Sequence, residues 1–315
     1  MPRLALLLST LVWGATFPAT KAVLEQLPPF AFLFLRFFLA TIVGVGVAWA
    51  WQGRLRTDRM TLRLSAIASL FMFVGYACQT VGLRYTTASN SAFITALYVV
   101  MVPLFLRRFE PRTWLSASLA VVGLWLLVHP AWPTIPPLST VPAWTDLLRL
   151  LPVVVNVGDL WTLACAAAFA AHIACLESYT RRSDAVSLFA WQLVFVTAAM
   201  LVSYVLEPGD SLNAMLMTPT LAVALMVTAV LATGAFAVQI WAQRLVPAQR
   251  VALIFSLEPA VAAWLAWYFL GEQLDALAWL GSGLILAAVI LGAARLASVT
   301  IPQDVPTGTL AEGKR

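Results

Sequence analysis

A single carboxylate, Glu258, lies inside an apolar stretch of the chain, in the run Ser256-Leu257-Glu258-Pro259. Placing an ionised carboxylate in hydrocarbon is costly, so such a residue usually faces the interior of a helix bundle or a water-filled cavity. Two interpretations remain open. Glu258 either takes up and releases a proton as a gate or coupling group, or it is a structural acid bonded to a neighbouring helix.

Arg36 is a charged residue inside another apolar run. Its long side chain can reach towards a membrane surface or pair with a carboxylate, and either arrangement keeps the guanidinium out of hydrocarbon. We expect a structural role for Arg36, with contact to an anionic ligand as the alternative. Glu258 and Arg36 are therefore the candidates for coupling or gating.

Polar and aromatic side chains in the same apolar region are candidates for lining a cavity. They are Trp13, Tyr76, Gln79, Asn90, Ser91, Thr95, Tyr98, His172, Gln239 and Trp241. Ser91, Thr95 and Tyr98 are spaced four and three positions apart, which places them on one face of a helix. Asn90 and Ser91 are also suited to joining helices. For His172 we favour a packing role over a proton relay.

The chain contains no arrangement typical of an enzyme. It has no H-E-x-x-H zinc motif, no G-x-S-x-G nucleophile elbow and no glycine-rich phosphate loop. Its three cysteines, Cys78, Cys165 and Cys175, show no metal-ligand spacing. We therefore predict no catalytic residue, no metal and no cofactor.

The elements that must position these side chains are long apolar helices. Of 315 residues, 62% are hydrophobic and 10% are charged, against roughly 45–50% and 25% in an ordinary soluble domain. Ten apolar runs have roughly the 20 residues that a helix needs to cross a bilayer. They are 4–24, 30–51, 63–83, 88–108, 112–129, 159–179, 185–206, 219–243, 249–270 and 276–295. The predicted fold is an all-α integral membrane protein with ten transmembrane helices.

The basic residues predict the orientation of these helices. With the N-terminus in the cytoplasm, fifteen of the 19 Lys and Arg residues fall on the cytoplasmic side, where loops are enriched in positive charge. We expect a multi-pass protein of the cell (inner) membrane with both termini cytoplasmic. The net charge of +5 follows from this arrangement, so the expected partners are membrane lipids and not nucleic acid.

The two halves of the chain match when the sequence is shifted along itself. Placing position 75 on position 235 aligns 75–98 with 235–258 without a gap, gives seven identities and pairs Gln79 with Gln239. A second shift, which places position 13 on position 169, relates the first two runs to the sixth and seventh. Because each half has five helices, the second half must enter the membrane from the opposite side, as in the inverted repeats of many transporters.

The predicted divisions follow from this repeat. They are a first five-helix repeat at 1–129, a proline-rich outer connection at 130–158, a second five-helix repeat at 159–295 and a disordered cytoplasmic tail at 296–315. Within the connection, Trp144 to Leu151 could form a short interfacial helix.

Prolines mark corresponding helices of the two halves. Pro103 lies in the fourth run and Pro259 in the ninth, and a proline removes a backbone donor and clashes with the preceding turn. Paired interruptions in corresponding segments of two repeats point to a binding site near the middle of the membrane. Simple kinks, which transmembrane helices tolerate, are the alternative.

With these features assembled, the chain resembles the EamA-type transporters of the drug/metabolite transporter superfamily. The matching residues are Trp13-Gly14-x-x-Phe17, Pro28/Pro29 followed by Arg36-Phe37, Ser256-Leu257-Glu258-Pro259 and Leu270-Gly271-Glu272. The likeness covers about residues 4–295. It implies a bacterial inner-membrane carrier, often an exporter of amino acids, other metabolites or toxic compounds. The first half departs from a symmetric pattern, with Tyr98 where the second half has Glu258.

We therefore expect a secondary transporter of a small metabolite, such as an amino acid, a related metabolite or a drug-like compound. Export by alternating access is favoured, and coupling to protons and assembly into a homo-oligomer are left open. A passive channel or a structural membrane subunit is the alternative. A membrane-embedded enzyme is the weaker one, since the required constellations are missing.

Overall fold

Long helices make up the protein in the computed structural model. The structure describes residues 2–107, 156–207, 218–255 and 257–293, with single positions at 115, 118, 119, 121–123, 125 and 126. The helices are α1 (Pro2–Val23), α2 (Pro29–Gln52), α3 (Arg59–Leu83), α4 (Ala88–Thr95), α5 (Tyr98–Phe105), α6 (Val157–Arg182), α7 (Ala185–Leu206), α8 (Pro219–Leu225), α9 (Ala232–Gln243), α10 (Ala248–Phe255), α11 (Glu258–Leu270) and α12 (Ala276–Ala293). A π-helical segment, Met226–Leu231, joins α8 to α9.

These helices follow the predicted apolar runs closely. Within the described residues, seven helical stretches are long and apolar enough to cross a membrane, and Ala276–Ala288 is a shorter apolar helix. The run 185–206 coincides with α7, and 219–243 coincides with α8, the π-helical segment and α9 together. The all-helical membrane class is confirmed for the described part of the chain.

Three predicted regions lie partly or wholly outside the described residues. The fifth run, 112–129, is described only at single helical positions. The connection at 130–158 is described from Asn156 onward, so the interfacial helix predicted at 144–151 is not covered. The tail at 296–315 also lies outside the described residues.

Side chains at the membrane boundaries fix where several helices begin. Asp58 precedes α3 and accepts a hydrogen bond from the Thr61 amide at 3.0 Å, which satisfies a donor that has no partner within the helix. The two hydrogen bonds from Thr61 hold the pKa of Asp58 below its usual range. Asp184 caps α7 in the same way, through the Ser187 amide.

Carboxylates from distant helices cap two further starts. Glu207, after α7, accepts from the Phe30 and Ala31 amides at the start of α2. Glu272, after α11, accepts from the Ala88 amide at 2.7 Å and from the Ser89 amide at 3.0 Å at the start of α4. A negative charge is favourable at this end of a helix. Because each carboxylate lies in the second half of the chain and each capped helix in the first, both contacts join the two halves.

The fourth and ninth membrane segments are both broken. The fourth divides into α4 and α5 at Ala96 and Leu97, where hydrogen bonds shorten to the i→i−3 pattern. The ninth divides into α10 and α11. Pro259 stands in the first turn of α11, where its missing N–H costs nothing. Pro103 lies inside α5, so the break expected at Pro103 is found at Ala96–Leu97 instead.

Two tight turns, one in each half of the chain, have the same backbone hydrogen bonds. In the first turn, residues 84–87 between α3 and α4, the amides of 84, 85 and 86 donate to the carbonyls of 81, 82 and 82. In the second turn, residues 244–247 between α9 and α10, the amides of 244, 245 and 246 donate to those of 241, 242 and 242. Every donor and acceptor of the first turn thus has its counterpart in the second under the shift that places position 75 on position 235.

Small residues allow the helices that surround the centre to approach closely. A Cβ atom on Gly82 of α3 would lie 2.8 Å from the Gly158 carbonyl oxygen of α6, and one on Gly158 would lie 2.6 Å from the Gly82 carbonyl oxygen. A Cβ on Gly14 of α1 would lie 2.9 Å from the carbonyl oxygen of Glu258. Glycine is required at these positions because the backbones are in contact.

Candidate functional site

One cavity lies among α1, α3, α4, α5, α6, α9 and α11. Its lining consists of Trp13, Thr16, Met72, Tyr76, Gln79, Thr95, Tyr98, Phe169, His172, Ile173, Phe236, Gln239 and Glu258. The centres of water-sized molecules can occupy about 40 Å³ of it. Since one water needs roughly 10–15 Å³ by this measure, the cavity in this conformation has room for a few waters.

The structure brings most of the sequence candidates to this cavity. Of the ten polar and aromatic candidates, the seven in its lining are Trp13, Tyr76, Gln79, Thr95, Tyr98, His172 and Gln239. Glu258 is also part of the lining. These side chains come from both halves of the chain, so the cavity lies where the halves meet.

Three candidates lie elsewhere. Trp241 is 44% exposed on α9, since two steps along a helix turn a side chain by about 200° from Gln239. Ser91 is buried, and its Oγ lies 3.3 Å from Thr162 Oγ1 of α6. Asn90 is in the first turn of α4, where its amide donates to Thr87 Oγ1. Ser91 therefore joins α4 to α6, whereas at Asn90 it is the backbone N–H that is bound, by the capping residue Thr87.

Five lining residues were not among the sequence candidates: Thr16, Met72, Phe169, Ile173 and Phe236. Four of them are apolar and carry no chemical signal of their own. Phe169 and Phe236 nevertheless stand at the positions that correspond to Trp13 and Tyr76 under the two repeat shifts. The internal repeat was the signal that could have identified them.

Glu258 is 6% exposed and begins α11, where the positive end of the helix dipole favours a carboxylate. Tyr98 donates its hydroxyl proton to Glu258 Oε2 at 3.4 Å, which is long for an O–H···O hydrogen bond. Among the described residues, no other side chain or backbone group donates a hydrogen bond to this carboxylate. Glu258 therefore retains most of its capacity to accept a further donor.

Two other lining atoms are buried without a hydrogen-bond partner among the described residues: the indole Nε1 of Trp13 and the amide oxygen of Gln239. The Gln239 amide nitrogen donates to Gln243 Oε1 at 3.1 Å, and the Gln243 nitrogen donates to the Ile173 carbonyl at 3.0 Å. This series of hydrogen bonds orients the Gln239 amide. The described lining thus presents one free donor and one free acceptor beside Glu258.

His172 is held by the neighbouring helix α7. Its Nε2 lies 2.9 Å from Gln192 Oε1, and the Gln192 nitrogen donates to the Leu188 carbonyl at 3.1 Å. Because Gln192 turns its oxygen towards the imidazole, Nε2 carries the hydrogen and Nδ1 is the acceptor nitrogen. The Gln192 oxygen thus satisfies one ring nitrogen of the buried His172, which also lines the cavity.

Arg36 is 3% exposed and lies behind the cavity wall. Its Nε donates to the Thr228 carbonyl in the π-helical segment at 3.1 Å. Its guanidinium carbon lies 4.3 Å from the centre of the Tyr76 ring and 5.2 Å from that of Phe37. Among the described residues, its contacts are thus a carbonyl and two rings, which fits a structural role.

The cavity lining follows the internal repeat. Most of its residues fall into five pairs that one or the other repeat shift relates. The pairs are Trp13/Phe169, Thr16/His172, Tyr76/Phe236, Gln79/Gln239 and Tyr98/Glu258. Corresponding positions of the two halves therefore surround one space.

Two pairs of corresponding residues also touch each other. Tyr98 and Glu258 share the hydrogen bond described above. Thr41 and Thr197 have their Oγ1 atoms 2.7 Å apart, and Thr197 donates to the Phe37 carbonyl. At these two places, residues at corresponding positions of the two halves are in direct contact.

Comparisons with known proteins agree with this geometry. The EamA-like transporter family matches residues 2–129 and 156–293. An uncharacterized transporter of Archaeoglobus fulgidus is 31% identical over 301 residues, covering 93% of this chain and 86% of its own length. A second uncharacterized transporter of the same organism is 27% identical over 301 residues, covering 93% and 97%.

A solved crystal structure shares the fold, with a TM-score of 0.66 at 14% identity over 95% of this chain and 97% of its own. The family match spans most of the chain, and its members are transporters and not enzymes. The chain belongs to the EamA-like transporter family and is a multi-pass membrane transporter of that type.

Proposed function

We propose that the protein is a secondary transporter that moves a small metabolite through the cavity by alternating access. The observation that carries this proposal is the lining itself, in which five pairs of corresponding residues surround one space. A site shared by two equivalent halves can be exposed to each side in turn when one half rocks against the other. The present room for only a few waters corresponds to a closed state of that cycle.

The proposal requires that the halves, 1–129 and 159–295, are inverted repeats. Three observations support this arrangement. The breaks in the fourth and ninth segments include positions that correspond in the repeat, Leu97 and Leu257, each of whose amides donates to the carbonyl three residues before it. The first and second turns share one hydrogen-bond pattern. Corresponding residues meet at Tyr98/Glu258 and Thr41/Thr197.

We further propose that both termini are cytoplasmic, that the protein lies in the cell inner membrane and that the physiological direction is export. The orientation rests on the distribution of Lys and Arg, and the direction rests on the resemblance to exporters of the same family. On this orientation the first turn faces outward and the second faces the cytoplasm.

Glu258 is the group that we propose for proton coupling. It is the one carboxylate in the described cavity lining, and its single hydrogen bond is long. The titratable groups that share its surroundings are Tyr98 from α5, Tyr76 from α3, and His172 and Cys165 from α6. Compared with these neighbours, Glu258 is a carboxylate with a single long hydrogen bond, so it can gain or lose a proton with the least rearrangement.

The test is counterflow in liposomes that contain the purified full-length protein, with and without a pH gradient. Radiolabelled candidates from several metabolite classes are loaded on one side, and exchange with the unlabelled compound is followed. A carrier gives saturable exchange, and Glu258→Gln removes the effect of the pH gradient while retaining exchange. Glu25→Gln, at an exposed acid outside the cavity, is the matched control.

Conductance without saturation would show a channel and overturn the carrier mechanism. Accumulation driven by the pH gradient that survives Glu258→Gln unchanged would remove Glu258 from the coupling step. The direction is read from the same assay, because right-side-out and inside-out vesicles should differ in apparent affinity if the two faces of the cavity differ.

A further inference from the structure

The cavity has an unusual chemical balance for a metabolite site. Five of its lining residues are Trp, Tyr or Phe, and Glu258 is the one acidic residue of the described lining. No Lys or Arg belongs to this lining. Arg36, a cation near it, lies behind the Tyr76 ring and is bound to the Thr228 carbonyl. An anionic group in the cavity would therefore meet a carboxylate and no cation.

Hydrogen bonding in the cavity has the same bias. The Glu258 carboxylate receives one long hydrogen bond, and the Gln239 amide oxygen is buried without a partner among the described residues. Both are acceptors that need a donor. In the described lining, the Trp13 Nε1–H is the buried donor without a partner. A guest that satisfies all three atoms brings N–H groups and one neutral acceptor such as a hydroxyl.

The aromatic side chains determine what else the guest carries. Phe169 and Phe236 line the cavity from α6 and α9, and Trp13 lines it from α1. Ring faces attract organic cations through the quadrupole of the π-system, and the attraction grows when water is excluded. The same faces offer apolar contact to a planar body.

We infer that the transported substrate is a monovalent organic amine on an aromatic or otherwise apolar body, with its ammonium group at Glu258 and Gln239. This rests on the proposed function, because it assigns the cavity as the transport site. Both acceptors need donors, an ammonium group supplies them, and the rings hold the rest of the molecule. Free carboxylic acids are excluded because their charge would be desolvated beside Glu258 without a counter-ion.

The test uses three probes with one ring and different charge: tyramine, tyrosine and 4-hydroxyphenylpropionate, which are a cation, a zwitterion and an anion. Binding to the detergent-solubilised full-length protein is measured by isothermal titration at pH 7. We expect tyramine to bind at least about tenfold more tightly than the anion, which corresponds to about 1.4 kcal/mol. Tyrosine should fall between the two.

Two variants of the cavity locate the preference. Glu258→Gln should reduce the cation-to-anion ratio to within about threefold, because the counter-charge is lost. Gln239→Leu should weaken tyramine binding and leave the ratio in favour of the cation, since the carboxylate remains. Glu25→Gln should bind all three probes as the parent does. Circular dichroism and size-exclusion profiles verify that each variant is folded.

Tightest binding of the anion or the zwitterion would overturn the inference, as would a cation preference that survives Glu258→Gln. Binding of none of the three probes at millimolar concentration would also overturn it. Counterflow of the same probes separates this from the proposed function. Saturable exchange of the zwitterion or the anion, without exchange of tyramine, would contradict the assigned ligand class and leave the carrier mechanism intact. Tyramine binding without exchange of any probe would contradict the carrier mechanism and leave the assigned ligand class intact.

Discussion

The first turn and the second turn have the same backbone and different surroundings. Around the first, Lys21 Nζ donates to the Leu83 carbonyl at 2.7 Å and to the Thr86 carbonyl at 2.8 Å. Thr86 donates its hydroxyl to Asp159 Oδ1 at 2.5 Å. Asn156, which precedes α6, donates to the Tyr85 carbonyl, and Glu272 accepts from the Ala88 amide at the end of the turn. Charged and polar side chains thus make several contacts to this turn.

The second turn has an apolar residue where the first has Thr86. Val246 lies in a buried cluster with Ala248 and Val251. Glu177 accepts from the Ala248 amide at 3.2 Å, from the α6 position that corresponds to Lys21 in α1. Lys21 therefore binds carbonyls at the first turn, whereas the corresponding residue Glu177 binds an amide at the second. The amide at the corresponding position of the first turn, that of Ala88, is bound by Glu272 instead.

The same backbone turn is thus held by two different sets of side chains. Charged hydrogen bonds are strong but directional, whereas apolar contacts tolerate sliding. If the two turns close opposite ends of the cavity, opening the first end breaks several specific bonds. Opening the second end moves apolar surfaces and breaks the contact between Glu177 and the Ala248 amide.

The largest effect is expected from labelling, since the two turns should lie on opposite membrane faces. Arg84 and Arg244 are exposed at corresponding positions. In a background with Cys78, Cys165 and Cys175 replaced by alanine, Arg84→Cys should react with an impermeant maleimide on intact cells. Arg244→Cys should react only after permeabilisation.

The background without an introduced cysteine is the control for that labelling. Reaction of both positions from the same side would show that the halves are not inverted. The outcome is all-or-none and does not depend on the substrate.

A large loss of stability should follow Lys21→Met. The substitution leaves the Leu83 and Thr86 carbonyls without their charged donor, at a cost of about 2 kcal/mol after allowance for water at this partly exposed position. Thermal unfolding in detergent measures the change. Arg84→Met removes an exposed cation from the same turn and should have little effect; an equal loss in both variants would mean that net charge, and not the two hydrogen bonds, matters.

Thr86→Val gives the first turn the residue of the second and should cost about 1–2 kcal/mol, because Asp159 is buried and loses its hydroxyl donor. Adding Asp159→Asn should recover part of that loss, since a neutral amide is cheaper to bury than a carboxylate. The unfolding temperatures of the single and double variants are compared. A double variant no more stable than Thr86→Val would indicate that the carboxylate is satisfied by other means.

The reverse exchange, Val246→Thr, should have the smallest effect, about 1 kcal/mol, because it buries a hydroxyl in the apolar cluster around the second turn. The hydroxyl can recover part of this through a backbone carbonyl in the preceding turn of the chain. If apolar sliding opens this end, the rate of exchange in liposomes should fall by more than the small loss of folding stability would explain. A rate unchanged within error would argue against the gating role of the second turn.

The helix boundaries were accessible from the sequence because the bilayer determines helix length. Runs of about 20 apolar residues have few ways to lie across hydrocarbon, and the boundaries of α7 match the run 185–206 at both ends. The internal geometry of the helices was less accessible. Nothing in Met226–Leu231 distinguishes a π-helical turn from an α-helical one, since every residue in it suits either.

The cavity was partly accessible for a different reason. Polar residues in apolar helices are costly, so Gln79, Gln239 and Glu258 stood out in the sequence. The apolar lining residues did not, although the repeat shift relates Phe236 to Tyr76. The break at Ala96–Leu97 was missed because these residues are ordinary helix formers and Pro103 gave the stronger local signal.

Arg36 has an electrical consequence. It keeps its charge at any physiological pH, and among the described residues its contacts are a carbonyl and two rings, so its positive charge is not cancelled by an ion pair. A charge that crosses the full membrane does work of about 2.3 kcal/mol for each 100 mV. If α2 moves along the membrane normal during the cycle, the logarithm of the rate of that step will change with membrane voltage, with a slope proportional to the fraction of the field that Arg36 traverses.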